Sequence, residues 1–167
     1  MPHLGYGPAV QSTERDGAAV RFPPPLVYLL AVLTGIGLHL VGLSWRLDLG
    51  PGLRIAAAAA SGLAGVALVG AALGVFRRTG QDPKPWKSTP EIISTGVYRY
   101  TRNPMYVGMA LLQAAIAFAA ANGAILVLVP VSLGVVYRIA VRHEEAYLER
   151  KFGAVYIEYK QAVRRWL

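Results

Sequence analysis

The sequence predicts an all-α, polytopic transmembrane helical bundle of about four spans, followed by a C-terminal amphipathic helix at the membrane interface. Of its 167 residues, 54% are hydrophobic and only 16% are charged. Three stretches contain no Asp, Glu, Lys or Arg: residues 22–45, 55–76 and 103–137. About 20 apolar residues cross the ~30 Å hydrocarbon layer of a bilayer. The first two stretches therefore fit one span each, and the third fits two short spans.

A soluble helical protein is the alternative, but its helices would need a polar face, which these stretches lack. The predicted spans cover approximately residues 26–44, 53–76, 104–121 and 124–140. We divide the chain into a flexible leader, an N-terminal hairpin of two spans, and a catalytic region with a loop, two spans and the C-terminal helix. These regions are residues 1–25, 26–76 and 77–167.

The distribution of Lys and Arg predicts the orientation in the membrane. Residues 77–102 contain six of these cations and residues 138–167 contain seven, whereas the Asn122-Gly123 turn between spans three and four has none. With four spans, the leader, the 77–102 segment and the tail share one side. Because positive residues collect on the cytoplasmic side, we expect these three segments to be cytoplasmic and the membrane to be the bacterial inner membrane.

Composition also excludes several kinds of chemistry. The chain has no cysteine, which rules out disulfides and thiolate ligands. No metal-ligand spacing, phosphate-binding loop or dinucleotide glycine fingerprint is present, so we expect no metal. The net charge of +8 lies beside the predicted spans, where it sets orientation, and we expect no nucleic-acid partner.

Residues 94–106 form the first polar cluster. Asn103 followed by Pro104 predicts the start of span three, because Asn is a favoured N-cap and Pro a favoured first helical residue. The positive end of that helix, with Arg102 beside it, would suit an anionic group such as a carboxylate. Aromatic side chains add surface for a heteroaromatic ring or a cation: Tyr98, Tyr100 and Tyr106. An interfacial girdle of Arg and Tyr is the alternative interpretation.

The second cluster lies at the end of span four. On a regular helix Arg138, Arg142 and Glu145 would fall on one face, and Glu144 would project about 100° away. Acidic residues are unusual at a span terminus, so one of them is a candidate to bind ribose hydroxyls or a sulfonium. Ion pairs on the helix surface, such as Arg142 with Glu145, are the alternative.

Two stripes predict packing. Residues at spacings of three and four in the tail form an aromatic stripe on a basic helix, for which docking on the membrane surface is favoured over packing on the site: Phe152, Tyr156, Tyr159, Val163 and Trp166. Small residues four apart in span two allow helices to approach closely, within the chain or in an oligomer: Ser61 with Gly65, and Gly70 with Gly74.

At these residues the chain resembles a known family. The run Gly96-Val-Tyr98-x-x-x-Arg102-Asn-Pro104-x-Tyr106-x-Gly108 is similar to the signature of the isoprenylcysteine carboxyl methyltransferase and phospholipid N-methyltransferase superfamily. The tail run Glu144-Glu145…Phe152-Gly153-x-x-Tyr156-x-x-Tyr159 is similar to its second motif. The resemblance covers approximately residues 77–166.

The resemblance implies an integral membrane methyltransferase that uses S-adenosylmethionine. It implies that Ile92 and Ile93 touch the cofactor through their backbone, that Glu144 holds its polar end, and that Arg142 or Arg138 faces the acceptor. Other residues would line the cofactor pocket: Tyr98, Arg102, Asn103, Pro104 and Tyr106. The eukaryotic prenylcysteine enzymes have His where this chain has Asn103. This difference bears on the predicted acceptor and not on the predicted cofactor.

Methyl transfer needs alignment of donor and acceptor more than acid–base groups. A carboxylate acceptor would need only an Arg to position it, whereas an amine or thiol would need a base, for which Glu145 is the candidate. We expect a lipophilic acceptor, a prenylcysteine-like carboxylate or a phospholipid amine, and membrane lipids as partners. The alternatives are an NADPH-dependent membrane reductase of the sterol-reductase type and a non-enzymatic membrane scaffold.

Overall fold

The computed structural model describes residues 17–20 and 22–167. Helices dominate this part of the chain and no β-strand occurs in it, which confirms the all-α prediction. A 3₁₀ turn, Gly96–Arg99, precedes α3, and a π-helical turn, Tyr137–Val141, joins α4 to α5. The α-helices are α1 (Pro24–Leu40), α2 (Pro51–Thr79), α3 (Pro104–Ala119), α4 (Gly123–Val136), α5 (Arg142–Phe152) and α6 (Ala154–Ala162).

Local sequence explains where these helices begin and end. Prolines occupy the first turn of α1, α2 and α3, where the missing N–H costs no hydrogen bond. The α2 helix ends at Gly80, whose φ of 67° is the left-handed conformation that glycine adopts without strain. The Asn122 side chain accepts hydrogen bonds from Ala124 N and Ile125 N and so caps α4.

Two helices are long and apolar enough to cross a membrane. They are α2, with 29 residues, and the continuous helix Gly123–Phe152, with 30. Only 11% of the most apolar window of α2 is buried in the protein, so α2 is not the core helix of a soluble fold. The apolar helices α1 and α3 have 17 and 16 residues, which is shorter than a typical span. The count of four spans therefore stays a prediction.

The helices pack in a different order from their order in the sequence. The α2 helix lies along α3, and α1 packs mainly against α4. The two helices of the predicted N-terminal hairpin thus find their main partners in the C-terminal half. A Cβ on Gly65 would lie 2.9 Å from Gly108 O, and one on Gly70 or Gly74 would meet nothing within 4 Å. Of the two small-residue pairs, only the one containing Gly65 makes the close α2–α3 contact.

At the end remote from the polar clusters, Asn122 joins three segments. Its Nδ2 donates to Gly35 O of α1 at 2.9 Å, and its Oδ1 accepts from Ser44 Oγ at 3.0 Å. Asn122 is 3% exposed, and its amide is satisfied on both sides. This hydrogen bonding ties α1 to the start of α4 and holds the bundle together at that end.

At the opposite end, the tail returns to the start of α3. Gly153, with φ 54°, separates α5 from α6, so the aromatic stripe of the tail does not run along one helix. Beyond α6, Arg164 O accepts from Arg102 N at 2.9 Å, and Arg165 O accepts from Asn103 Nδ2 at 3.0 Å. The C-terminal segment is therefore fastened to the entry of α3.

Most of the predicted leader, residues 1–16 and Arg21, lies outside the described residues. Among its described residues, those at 17–20 pack against the loop after α2. Ala18 and Val20 are buried, and Ala18 N donates to Pro85 O at 3.0 Å. The leader therefore includes an ordered stretch next to this loop.

The Gly65–Gly108 approach predicts a position-specific effect of one methyl group. Gly65→Ala forces a methyl against the α3 backbone, and we expect a loss of about 1–3 kcal/mol. Gly70→Ala on the same helix meets no neighbour and should equal or exceed the wild type, because Ala favours helix over Gly. Thermal unfolding of the two variants in detergent measures the difference, and equal melting temperatures would contradict this packing.

Candidate active site

A cavity lies where α2 ends and α3 begins; we call it the main cavity. One wall comes from the end of α2 and the loop after it, which includes Phe76, Gln81 and residues 82–85. The other wall comes from the entry of α3 and from α5 and α6. The main cavity is therefore lined by segments that lie far apart in the sequence.

The entry of α3 differs in detail from the prediction. Asn103 is the N-cap residue, but its side chain caps no helix amide and instead donates to Arg165 O. Thr101 Oγ1 also donates to Arg165 O, at 3.1 Å, and accepts from Asn103 N. The tail thus uses the side chain that was expected to cap α3, and the polar groups of the 101–103 segment hold the tail in place.

A buried carboxylate sits between two guanidinium groups beside the main cavity. Glu145 Oε1 and Oε2 accept from Arg165 Nε and Nη2 at 2.9 Å each, and Arg102 Nη2 lies 3.2 Å from Glu145 Oε1. The Arg102 and Glu145 side chains are 7% and 11% exposed. Glu145 pairs with these two cations and not with Arg142, and its oxygens are engaged by guanidinium donors.

Glu144 lies beside this network but makes different contacts. Its Oε1 accepts a hydrogen bond from Tyr106 Oη at 2.5 Å. Among the described residues no cation forms an ion pair with Glu144. Tyr106 is in turn fixed from the other side, because Tyr28 Oη donates to its carbonyl at 2.9 Å. Glu144 therefore presents a carboxylate to the main cavity that protein cations leave free.

Aromatic rings form much of the remaining surface. Phe76 and Tyr98 meet edge to face with ring centroids 5.9 Å apart, and Tyr159 Oη donates to Tyr98 O at 2.7 Å. Tyr156 is buried beside Tyr159, and both line the main cavity. Burial raises the pKa of the Tyr98 and Tyr159 hydroxyls, so both stay neutral. The stripe expected to dock mainly on the membrane surface thus places two tyrosines in the cavity.

The main cavity brings together most of the predicted cofactor residues. Its lining includes Ile92, Ile93, Tyr98, Arg102, Asn103, Tyr106 and Glu144. Pro104 is buried at the first position of α3, next to this lining.

The predicted acceptor residues lie elsewhere. Arg138 and Arg142 are exposed and outside the lining, whereas Glu145 is buried and lines it. Arg142 and Glu145 are three residues apart and so differ by about 60° around the helix, and the π-helical turn at Tyr137–Val141 alters the register of Arg138. The three side chains therefore do not line the cavity together. Their roles toward the acceptor stay predictions.

Sequence reasoning missed two lining or supporting residues. Arg165 was counted only as a charge of the tail, and its pairing with Glu145 spans 20 positions that include a helix break. Gln81 belongs to no motif, and its only local signal is its place directly after the α2 terminator Gly80. Neither the Arg165–Glu145 pair nor the position of Gln81 in the cavity lining follows from the spacing of residues in the sequence.

Two charged side chains of the cavity are only partly satisfied by the described residues: Arg102 has nitrogens without hydrogen-bond partners, and Glu144 has no cation beside it. Arg102 Nε and Nη1 are buried without a hydrogen-bond partner, and an unsatisfied buried charged group is costly. A ligand with a carboxylate near Arg102 and a cationic centre near Glu144 would satisfy both. The described residues contain no group of His, Asp and Glu able to hold a metal ion. The residues present thus suit a zwitterionic or cationic cofactor.

The Glu145 network predicts that removing the buried Glu145 carboxylate destabilises the protein more than removing the more exposed Glu149 carboxylate. Glu145→Gln leaves Arg102 buried beside a neutral amide, for which we expect a loss of about 3–5 kcal/mol. Glu149→Gln, on the same helix, removes an exposed pair with Lys160 that contributes at most about 1 kcal/mol. Thermal unfolding of both variants in detergent is the measurement. A melting temperature of Glu145→Gln as high as that of Glu149→Gln would refute the network's structural role.

Comparison with known proteins identifies the family of the chain. A family model described as phospholipid methyltransferase matches residues 53–155, more than half of the chain. An uncharacterized protein of Haemophilus influenzae is 54% identical over 33 residues, which are 20% of this chain and 52% of that protein. The matched part of the chain thus spans about half the length of that curated relative. No solved structure matches the chain significantly. The chain belongs to the phospholipid methyltransferase family, as its motifs predicted, and it is an integral membrane protein.

Proposed function

We propose that this protein transfers a methyl group from S-adenosylmethionine to a lipophilic acceptor at the membrane interface. One observation carries the proposal. Within a single cavity, Arg102 holds buried guanidinium nitrogens without partners, and Glu144 holds a carboxylate without a cation. The family match supports methyltransferase chemistry in general, and these two residues support this particular cofactor.

Arg102 and Glu144 would bind the charged end of the cofactor. Arg102 is held by Glu145 through Nη2, which leaves Nε and Nη1 to meet a carboxylate. Glu144 is oriented by Tyr106, which Tyr28 fixes in turn, and it would pair with an ammonium or sulfonium. In this arrangement Glu145 positions Arg102, because the Glu145 oxygens already contact the guanidinium groups of two arginines.

When bound, S-adenosylmethionine supplies an electrophilic methyl carbon, to which an acceptor lone pair bonds as the carbon–sulfur bond breaks and the sulfonium becomes a thioether. The chain would contribute binding and alignment, which are the main requirements of such a displacement. Tyr98, Tyr106, Tyr156 and Tyr159 would exclude water around the reacting centre. Backbone atoms of Ile92 and Ile93 would complete the enclosure.

The acceptor would approach from the lipid side of the same end of the bundle. A prenylcysteine-like carboxylate and a phospholipid amine are the two classes that we propose. For an amine, Glu144 is better placed than Glu145 to take up a proton, because Glu145 is engaged by both arginines. Arg138 and Arg142 are exposed near this end and would meet acidic headgroups or the acceptor. We propose a cytoplasmic location for this end from its Lys and Arg content.

The two other functions have less support. A reductase of the sterol-reductase type would need a site for the phosphates of NADPH, and among the described residues the main cavity lining contains only two cationic ones, Lys84 and Arg102, beside three acidic ones. A scaffold would not need buried guanidinium nitrogens without partners, since these destabilise a protein that binds no ligand.

Calorimetric titration of S-adenosylhomocysteine into the detergent-purified protein tests the proposal. We expect micromolar binding to the wild type and a loss of at least tenfold in Glu144→Gln, since about 1.4 kcal/mol corresponds to a factor of ten. Tyr106→Phe removes the hydroxyl that orients Glu144 and should weaken binding by a smaller factor. Glu149→Gln, exposed on the same helix, is the matched control and should bind like the wild type.

Absence of binding to a wild-type protein with a cooperative melting transition would contradict the proposed function. In that case NADPH is the next ligand to titrate, and its binding would establish the reductase alternative. Equal binding by Glu144→Gln and the wild type would leave the cofactor in place and overturn the role of Glu144.

A further inference from the structure

Gln81 is a buried amide with no partner, in the wall of the main cavity formed by the end of α2. The residue is 7% exposed, and neither Oε1 nor Nε2 has a hydrogen-bond partner. Both atoms lie in a residue that lines the cavity. Burying an amide without hydrogen bonds to its oxygen or nitrogen destabilises the folded protein, and a ligand that forms these bonds would relieve the cost.

The backbone holds Gln81 firmly in this position. Gly80 ends α2 in a left-handed conformation, and Gln81 N donates to Phe76 O at 3.1 Å. The side chain therefore starts from a fixed point at the helix end and not from a mobile loop. Its neighbours in the sequence, Asp82 and Lys84, are exposed although they also contribute to the cavity rim.

The wall that contains Gln81 also contains an aromatic ring. Phe76, five residues earlier in the sequence, meets Tyr98 edge to face, and Ile92 and Ile93 line the same cavity. Arg102, Glu144 and Glu145 come from the opposite wall, at α3 and α5. A ligand that spans the cavity would meet these three charged residues on one wall, and a neutral amide and Phe76 together with the exposed Asp82 and Lys84 on the other.

The unpaired donor and acceptor of Gln81 restrict the kind of group that satisfies it. A phosphate would engage only Nε2, and a lipid ammonium only Oε1. A group with a donor and an acceptor side by side would engage both, as a glutamine amide does with the N6 amino group and a ring nitrogen of adenine. Adenine is also flat and aromatic, which suits the neighbouring rings.

We propose that Gln81 is an adenine-recognition residue, whose side-chain amide pairs with the 6-amino group and an adjacent ring nitrogen of the cofactor's base. This inference rests on the proposed function and extends it, because it assigns the base to the α2 wall and the amino-acid end to the α3–α5 wall. It makes Gln81 a specificity residue for the purine, with no part in the transfer step itself.

The test is a double-mutant cycle by calorimetric titration on the full-length protein in detergent. The ligands are S-adenosylhomocysteine and its analogue that lacks the 6-amino group, and the proteins are the wild type and Gln81→Met. Met has a similar shape but neither hydrogen-bonding atom. We expect the wild type to bind the analogue at least tenfold more weakly, and Gln81→Met to bind both ligands weakly and within about threefold of each other, because a site with an unpaired amide rejects the ligand that cannot satisfy it.

Gln113→Met is the matched control. Gln113 is a second buried glutamine, 1% exposed, whose Nε2 donates to Ile125 O on α4 and whose Oε1 is unpaired. It lies away from the main cavity, so Gln113→Met should retain the wild-type discrimination between the two ligands even if its melting temperature falls.

Two outcomes overturn the inference while leaving the proposed function intact. One is wild-type binding of S-adenosylhomocysteine that does not depend on the 6-amino group. The other is a Gln81→Met protein that keeps the wild-type discrimination between the two ligands because both affinities fall by the same factor, which would indicate a structural role only. If the wild type binds neither ligand, the proposed function fails and this inference fails with it.

Discussion

Burial of one carboxylate between two arginines is the constraint on which the candidate site depends. Glu145 joins α5 to the entry of α3 through Arg102 and to the C-terminal segment through Arg165. The Arg102 and Glu145 charges would be expensive to bury alone, so α5 and the entry of α3 must meet, and the partly exposed Arg165 adds the C-terminal segment to this arrangement. That arrangement also brings Arg164 and Arg165 carbonyls to Arg102 N, Thr101 and Asn103. The wall of the main cavity is therefore assembled by electrostatics at the end of an otherwise apolar bundle.

Some atoms of this network have no protein partner. Arg102 contacts Glu145 through one nitrogen, and its other two nitrogens have no hydrogen-bond partner. Glu144 accepts a hydrogen bond from the Tyr106 hydroxyl but has no cation beside it among the described residues. On the facing wall, Gln81 keeps both atoms of its amide unpaired. Such groups are rare in proteins that only need to be stable. Because these groups line one cavity, they suit a ligand that has a carboxylate, a cation and a heteroaromatic base. The cofactor of the proposed methyl transfer has all three.

The sequence predicted the helical architecture for clear physical reasons, and the family resemblance supplied most of the predicted residues that line the main cavity. Long stretches without charge require an apolar environment, Asn103-Pro104 marks the start of a helix, and Asn122-Gly123 marks the turn between spans three and four. Long-range pairing was beyond the sequence. The π-helical turn at Tyr137–Val141 altered the register assumed for Arg138, and the tail took the Asn103 side chain that was expected to cap α3. Gln81 gave no signal, because an unpaired amide becomes visible only when its burial is known.

A crystal structure of the protein with S-adenosylhomocysteine bound tests the central claim most directly. The account predicts that the ligand occupies the main cavity, with its carboxylate against Arg102 Nε and Nη1, its ammonium near Glu144 and its base against Gln81. Density for the ligand outside the main cavity, or an Arg102 that keeps its unpaired nitrogens while the ligand is bound, would contradict it.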